Sequence, residues 1–206
     1  LPEGLLNFLA LLGWGPGGDA EFFTKEDLIK KFSIKRVNKT PAALNLDKLR
    51  HINGLHLKRL SKDDFILQVK LFYKREVEDS HVISEADFIQ CALLYKDRMK
   101  TFRELLEEGK YFFEEIITRD PQILEKYVNQ ETKGKLKVYA ESLKSADFSS
   151  VTAMEVHLRE QADTLGIRAA DLIHPLRVAL TGKTVSPGIF DVMQLLGKKR
   201  VIQRIE

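Results

Sequence analysis

The stretch IHPLRVALTGKTVSPGIFDVMQLLGKKR, residues 173–200, carries the signals that decide the fold of this chain. Its apolar residues recur at helical spacing, and Gly182 and Gly197 stand where a helix commonly ends. Ser186 and Pro187 stand where the next helix begins, because proline fits the first turn of a helix. The stretch therefore predicts a helix, a break and a second helix.

Basic residues accompany these breaks. The cations of the stretch are Arg177, Lys183, Lys198, Lys199 and Arg200. A helix start exposes backbone N–H groups, and with an arginine nearby it forms a surface suited to phosphate or to unstacked bases. The stretch is therefore a candidate surface for a negatively charged partner.

Another junction between two helices, the first along the chain, lies ahead of this stretch, which forms the second junction. Arg98 and Lys100 fall within KDRMKT, residues 96–101, between a helix predicted to end near Tyr95 and a helix capped by Thr101. Side chains at such a junction can project together into one groove. Composition and spacing support a helical RNA-binding module and a helical protein-interaction module about equally.

The composition is that of a soluble, folding chain. Of the 206 residues, 44% are hydrophobic and 31% are charged, and no run approaches the roughly 18 apolar residues of a membrane span. The single cysteine, Cys91, excludes an internal disulfide and a cysteine-based zinc site. The net charge of +3 permits local nucleic-acid-binding patches without arguing for them.

The histidines lack the spacing of a metal site. They are His51, His56, His81, His157 and His174. His51 and His56 stand five positions apart, whereas a helical zinc site uses a pair four apart. No phosphate-binding glycine loop or nucleophile elbow follows a predicted strand. We therefore predict neither a metal nor a catalytic residue in this chain.

Residues typical of helix starts and ends recur along nearly the whole sequence. Runs of β-branched residues with period-2 alternation are scarce. Capping residues precede apolar stripes at Thr24, Ser61, Ser84, Thr101 and Asp120. The apolar opening LLNFLALLGW predicts a buried helix with Leu9 in its core. These patterns predict an all-α fold.

Four blocks resemble bacterial-type glutamyl-tRNA synthetases, in that family's order along the chain. They are LPEGLLNFLALLGW (1–14), NKTPAALNLDKLRHINGLHLKRL (38–60), YKDRMKTFREL (95–105) and LIHPLRVALTGKTVSPGIFDVMQLLGKKRVIQRI (172–205). The third block is similar to the family's Arg-x-Lys-Thr-Leu motif, with Phe102 in place of leucine. The last block is similar to its long closing segment. Residues 126–150 have no strong counterpart in the family.

The resemblance implies a more detailed fold. It implies a helical stem-contact region at residues 1–60, followed by a two-part α-helical anticodon-binding cage with subdomains 61–121 and 122–206. The family's catalytic domain, with its His-x-Gly-His signature, precedes the segment that this chain matches. We therefore expect a C-terminal fragment that binds tRNA and does not activate glutamate by itself.

The resemblance also implies a role for the first junction. In the family, an arginine of the Arg-x-Lys-Thr motif faces the third anticodon base. That role falls on Arg98, with Lys100 as the alternative because the register between helices can slip.

At the second junction, the family's closing arginine and its Ser/Thr-Pro-x-Leu turn face the first two anticodon bases. The matching residues are Arg177, Ser186, Pro187 and Ile189, with Ile189 standing where leucine is common. In addition, Lys198 and Lys199 are expected to contact tRNA phosphates.

The partners and cofactors follow from the same resemblance. The expected partner is tRNA(Glu), and the sequence leaves open whether tRNA(Gln) is charged as well. ATP and Mg²⁺ belong to the parent glutamate–tRNA ligase, and no cofactor is expected in this fragment. We expect a monomer without membrane contact in the bacterial cytoplasm, with an organelle as the open alternative.

A helical protein-interaction module without RNA recognition is the alternative function. The presence of both Arg98 and Arg177 argues against it, because a docking module has no reason to place cations at both junctions.

Overall fold

The computed structural model describes residues 1–38, 43–78 and 83–206. Within these ranges the chain forms eleven α-helices and no strand, apart from one isolated bridge between Trp14 and Val37. The helices are α1 (Pro2–Gly13), α2 (Lys25–Lys31), α3 (Leu46–Arg59), α4 (Lys62–Glu76), α5 (Glu85–Tyr95), α6 (Phe102–Glu108), α7 (Pro121–Tyr127), α8 (Gln130–Leu143), α9 (Val151–Thr164), α10 (Ala169–Thr181) and α11 (Ile189–Ile205). The prediction of an all-α fold is confirmed.

The chain divides into two compact units. Unit 1 comprises Leu1–Glu108 with α1 to α6, and unit 2 comprises Gly109–Glu206 with α7 to α11. The division into 1–60, 61–121 and 122–206 concerns functional subdomains and stays a proposal.

The predicted helix starts are confirmed where a side chain caps the backbone. The Oγ1 of Thr24 accepts a hydrogen bond from Asp27 N, and the carboxylate of Asp27 accepts one from Thr24 N. The hydroxyls of Ser61 and Ser84 cap α4 and α5 by accepting from Asp64 N and Asp87 N, and Asp120 caps α7 ahead of its first-turn proline. Each cap satisfies backbone donors that a helix start leaves without a partner.

Helix α1 packs on α3 through a narrow stripe. A Cβ atom added to Gly4 would lie 3.0 Å from the Cα of Asn53. Asn7 and Phe8, three and four residues further on, are buried on the same face. The prediction that Leu9 lies in the core is wrong, because Leu9 falls on another face and is 51% exposed.

A buried polar contact joins α1, α3 and the segment before α2. The Oδ1 of Asn7 accepts a hydrogen bond from the backbone N of Phe23 at 2.9 Å. The same oxygen lies 3.1 Å from Nε2 of His56, whose ring lies beside Phe22. This contact fixes the crossing of α1 over α3, and α3 in turn supports the first junction.

Helix α10 is the centre of unit 2 and packs against α7, α8, α9 and α11. It ends as predicted at Gly182, which adopts the left-handed conformation with φ of 70°. A Cβ atom there would lie 2.5 Å from the carbonyl oxygen of Thr118, so only glycine fits. At Gly197, with φ of 77° and ψ of 154°, α11 is kinked rather than ended.

Two of the sequence predictions reach beyond the described residues. His81 lies outside them, as does part of the block at residues 38–60, namely residues 39–42. In the part of the chain that the structure describes, no helix is long and apolar enough to cross a membrane. That same part contains no group of three or more His, Cys, Asp or Glu side chains that could hold a metal ion.

Candidate nucleic-acid interface

Arg98 lies on the turn that follows α5. Its backbone N donates to Tyr95 O at 2.8 Å, and the next residue, Met99, is buried and anchors the turn. The Arg98 side chain is exposed. It forms no hydrogen bond or ion pair with any residue in the ranges 1–38, 43–78 and 83–206. None of the guanidinium donors of Arg98 is therefore occupied by a residue that the structure describes.

The backbone of Lys100 fixes this junction in place. Its carbonyl oxygen accepts a hydrogen bond from Asn53 Nδ2 at 2.6 Å, and its N donates to Glu104 Oε2 at 2.8 Å. Gly54 allows the close approach, since a Cβ atom added there would lie 3.3 Å from the Cα of Lys100. The junction is thus held by α3 on one side and by α6 on the other, with the Lys100 side chain exposed.

Sequence reasoning did not assign a role to Asn53, Gly54 or Glu104 in this junction. The signal for the first two was the Asn-Gly pair inside the block at residues 38–60. A glycine within a helix, beside a long polar side chain, is typical of a place where another backbone comes close. That the approaching backbone is that of Lys100 could be seen only in the fold.

Arg177 organises the second junction from inside. Its Nη1 donates hydrogen bonds to the Oγ of Ser186 and, at 2.8 Å, to the carbonyl oxygen of Pro187. The hydroxyl of Ser186 donates in turn to the Pro187 carbonyl oxygen at 2.9 Å. The predicted grouping of Arg177 with Ser186 and Pro187 is therefore present, with the arginine binding the turn itself.

The turn presents different residues from those that the sequence singled out. Ser186 and Pro187 are buried, and Ile189 is only 3% exposed. Helix α11 begins at Ile189 with Gly188 as its N-cap, so Ser186 does not cap it. The exposed side chains of the turn include those of Thr184 and of Val185, which is 69% exposed. No pattern in the sequence distinguishes Val185 from its neighbours.

Lys198 and Lys199, next to each other in sequence, have different surroundings. The Nζ of Lys198 donates to Lys144 O at 3.1 Å and lies 5.5 Å from the centre of the Phe148 ring. Lys199 is exposed and lines a pocket together with Arg119 and other basic residues. Adjacent residues on a helix point about 100° apart, so these two lysines cannot serve the same contact.

The candidate residues thus form separate groups. Arg98 and Lys100 belong to unit 1. The α10–α11 turn and the two lysines belong to unit 2. Each group offers cations or exposed backbone at a position fixed by packed helices, which is the arrangement that directed contacts to single-stranded bases require.

Comparisons with known proteins match two segments of the chain, and the longer segment contains all the candidate residues. Residues 57–206 match the family model described as "Anticodon binding domain". Residues 1–51 match the model described as "tRNA synthetases class I (E and Q), catalytic domain". The predicted resemblance to the C-terminal part of glutamyl-tRNA synthetases is therefore confirmed.

Curated relatives agree with both matches. The chain is 35% identical over 208 residues to glutamate–tRNA ligase 2 of Caldicellulosiruptor saccharolyticus, covering all of this chain and 43% of that protein. It is 35% identical over 210 residues to glutamate–tRNA ligase 1 of Syntrophomonas wolfei, covering 42% of that protein. The chain therefore spans less than half the length of these relatives.

A solved structure has the same fold. The crystal structure of a glutamate tRNA ligase from Elizabethkingia meningosepticum, in complex with its amino acid, superposes with a TM-score of 0.84 at 26% identity. The match covers 100% of this chain and 40% of that one.

Proposed function

This chain belongs to the anticodon binding domain family, and from that membership we propose that it binds tRNA and reads its anticodon as the C-terminal part of a glutamate–tRNA ligase. The full-length enzyme would attach glutamate to tRNA(Glu) using ATP and Mg²⁺. The chain matches only residues 1–51 to the catalytic-domain model, so glutamate activation would belong to the parent enzyme.

The observation that carries this proposal is the exposed guanidinium of Arg98 on a fixed turn, which bonds to none of the described residues. An arginine fork can donate two parallel hydrogen bonds to one base edge, and it does so best when its backbone is already positioned. The hydrogen bonds of Lys100 to α3 and α6 supply that positioning. We assign Arg98 to the third anticodon base, with Lys100 as the alternative donor.

The turn between α10 and α11 would take the first two anticodon bases. Arg177, Ser186, Pro187 and Ile189 are assigned to this contact. In the structure they hold the turn in shape, and the exposed surface comes from Thr184, Val185 and Gly188. We propose that bases lie against this surface, and that Arg177 acts first by fixing it. Lys198 and Lys199 are assigned to phosphates.

The scope of recognition follows from the resemblance. The proposed partner is tRNA(Glu), with tRNA(Gln) as a second substrate left open. We propose a monomer that acts in the bacterial cytoplasm, with an organelle as the alternative. The proposal of a bacterial protein is supported by the bacterial origin of the relatives.

The test replaces Arg98 with lysine. The Arg98→Lys variant keeps the charge and loses the fork, so it should retain most non-specific affinity while losing roughly 1 to 3 kcal/mol of discrimination between tRNA(Glu) and a version with its third anticodon base substituted. The measurement is filter binding of both tRNAs at one salt concentration. Arg159→Lys is the matched control, because Arg159 is exposed and already bonded to Glu155 at 2.6 Å.

Two results would count against the proposal. If Arg98→Lys weakens both tRNAs equally, Arg98 is a general electrostatic contact and not a base reader. If the unaltered chain binds neither tRNA, the alternative of a helical protein-interaction module is favoured.

A further inference from the structure

A basic pocket lies in unit 2, and none of the residues assigned to base reading lines it. Its volume is about 530 Å³, and eight residues line it: Glu115, Ile116, Ile117, Arg119, Lys199, Arg200, Gln203 and Arg204. Four of these side chains are cations and one is a carboxylate. Such a bias at a concave surface focuses a positive potential toward one point.

The arginines of this pocket bind only neutral backbone oxygens. Arg204 donates to the carbonyl oxygens of Leu180, Tyr111 and Glu114. Arg119 donates to the carbonyl oxygens of Ala179 and Arg204, both at 3.0 Å. These contacts fix each guanidinium in space, yet none of them supplies a negative charge.

No carboxylate among the described residues forms an ion pair with Arg119, Arg200 or Arg204. Arg204 is only 7% exposed, and buried charges in proteins are normally paired. The Nε atoms of Arg119 and Arg204 are buried and form no hydrogen bond within the described ranges. The cluster therefore has unused donors, and no ion pair among the described residues neutralises its arginines.

The pKa values reflect the same imbalance. Burial, followed by the charges of Arg200 and Arg119, lowers the pKa of Arg204 to about 10. Burial also lowers the pKa of Arg119. An anion placed among these groups would relieve the repulsion between them and would strengthen their hydrogen bonds.

We infer that this pocket is a phosphate-binding site that takes a backbone phosphate of the tRNA. Arginine forks match the oxygens of phosphate, and the adjoining exposed side chain of Ile116 offers an apolar surface to the sugar or base of the same nucleotide. The pocket also lies beside the proposed base-reading turn, because Arg119 and Arg204 bind the last carbonyl groups of α10. In naming tRNA as the source of the phosphate, the inference rests on the proposed function.

The test places a negative charge in the pocket without touching the buried arginines. Gln203 is exposed and lines the pocket, so Gln203→Glu should leave the fold intact. Gln194→Glu is the matched control, since Gln194 is exposed on the same helix and does not line this pocket. In the first arm, affinity for tRNA(Glu) and for its anticodon-substituted version is measured over a salt series.

We expect Gln203→Glu to weaken both tRNAs equally, by about tenfold, which corresponds to one hydrogen bond to a charged group. The salt slope should fall by about one, as it does when one phosphate contact is lost. Gln194→Glu should leave affinity and slope unchanged. Lys199→Gln should repeat the effect of Gln203→Glu without adding a carboxylate.

The second arm measures the Tm of the chain in inorganic phosphate against chloride at equal ionic strength. Phosphate should raise the Tm of the unaltered chain and of Gln194→Glu more than that of Gln203→Glu. If Gln203→Glu and Gln194→Glu differ in the phosphate-dependent Tm and not in tRNA affinity, the pocket takes free phosphate and the assignment to tRNA is wrong. If neither arm separates them, the pocket binds no phosphate. Failure of the unaltered chain to bind tRNA contradicts the proposed function, and the phosphate arm then decides about the pocket.

Discussion

At the scale of single residues, Phe8 and Leu9 are neighbours on α1 with opposite environments. Phe8 is 1% exposed and Leu9 is 51% exposed. We expect Phe8→Ala to lower the free energy of unfolding by about 3 to 5 kcal/mol, because it leaves a cavity in the core of unit 1. Leu9→Ala should change it by less than about 0.5 kcal/mol, the range of surface substitutions. Denaturant titration of both variants measures these values, and a large loss for Leu9→Ala would show that its side chain is covered.

His56 gives unit 1 a pH dependence. Burial holds the pKa of His56 below its ordinary value of 6.5, although the carboxylate of Glu3 opposes the shift. The folded chain therefore keeps the ring neutral, and the unfolded chain binds the proton more readily. The stability that this residue contributes is complete above the ordinary pKa and is lost as pH falls toward the lowered one. Free energies of unfolding should thus decrease from about pH 7 to about pH 5.

The variant His56→Gln isolates this effect. Glutamine keeps an N–H donor within reach of Asn7 and does not titrate, so its free energy of unfolding should fall less over the same pH interval. His174→Gln is the matched control, since His174 is exposed. Equal slopes for the unaltered chain and for His56→Gln would rule out His56 as the source of the pH dependence.

At the scale of elements, the end of α10 depends on glycine at position 182. Gly182→Ala should lower the free energy of unfolding by about 1 to 3 kcal/mol, because the left-handed conformation is strained for alanine and its methyl group would meet the Thr118 carbonyl oxygen. Gly134→Ala is the control within α8. It has open space and should gain about 0.5 to 1 kcal/mol. Thermal or chemical unfolding of both variants checks the pair, and a neutral Gly182→Ala would contradict the close approach to Thr118.

The helix starts and stops could be predicted because their causes are local. Thr24, Ser61 and Ser84 cap helices through residues three positions away, so spacing alone reveals them. Exposure could not be predicted in this way. Whether Leu9 or Ile189 faces the core depends on which face meets a distant helix, and sequence spacing alone does not fix that face. The bonding of Arg177 to its own turn likewise depends on how the α10–α11 connection folds back.

The basic pocket, like the exposure of Leu9, could not be predicted from sequence spacing. Arg119 and Arg204 are 85 positions apart, and no sequence pattern indicates a role for either. An isolated arginine in a sequence is predicted to be solvent-exposed, because nothing local shows that its neighbours in space are also cations. Only packing brings these two guanidinium groups and Lys199 to one concave surface.

At the scale of the whole molecule, two helical units each hold a fixed set of the groups that we propose to contact RNA. Unit 1 offers Arg98 and Lys100, and unit 2 offers the α10–α11 turn and the basic pocket. The two kinds of contact predict different behaviour. Base contacts give discrimination between sequences, whereas phosphate contacts give affinity that depends on salt.

Anticodon reading is tested most directly by comparing tRNA(Glu) with a tRNA(Glu) in which all three anticodon bases are substituted. Both tRNAs are titrated against the unaltered chain at two salt concentrations. We expect the substituted tRNA to bind at least about tenfold more weakly than tRNA(Glu), because one or more directed base contacts are lost. We also expect salt to weaken both tRNAs in parallel, so the ratio of affinities is kept. Equal affinities at both salt concentrations would contradict anticodon reading and would leave the chain a non-specific RNA-binding protein.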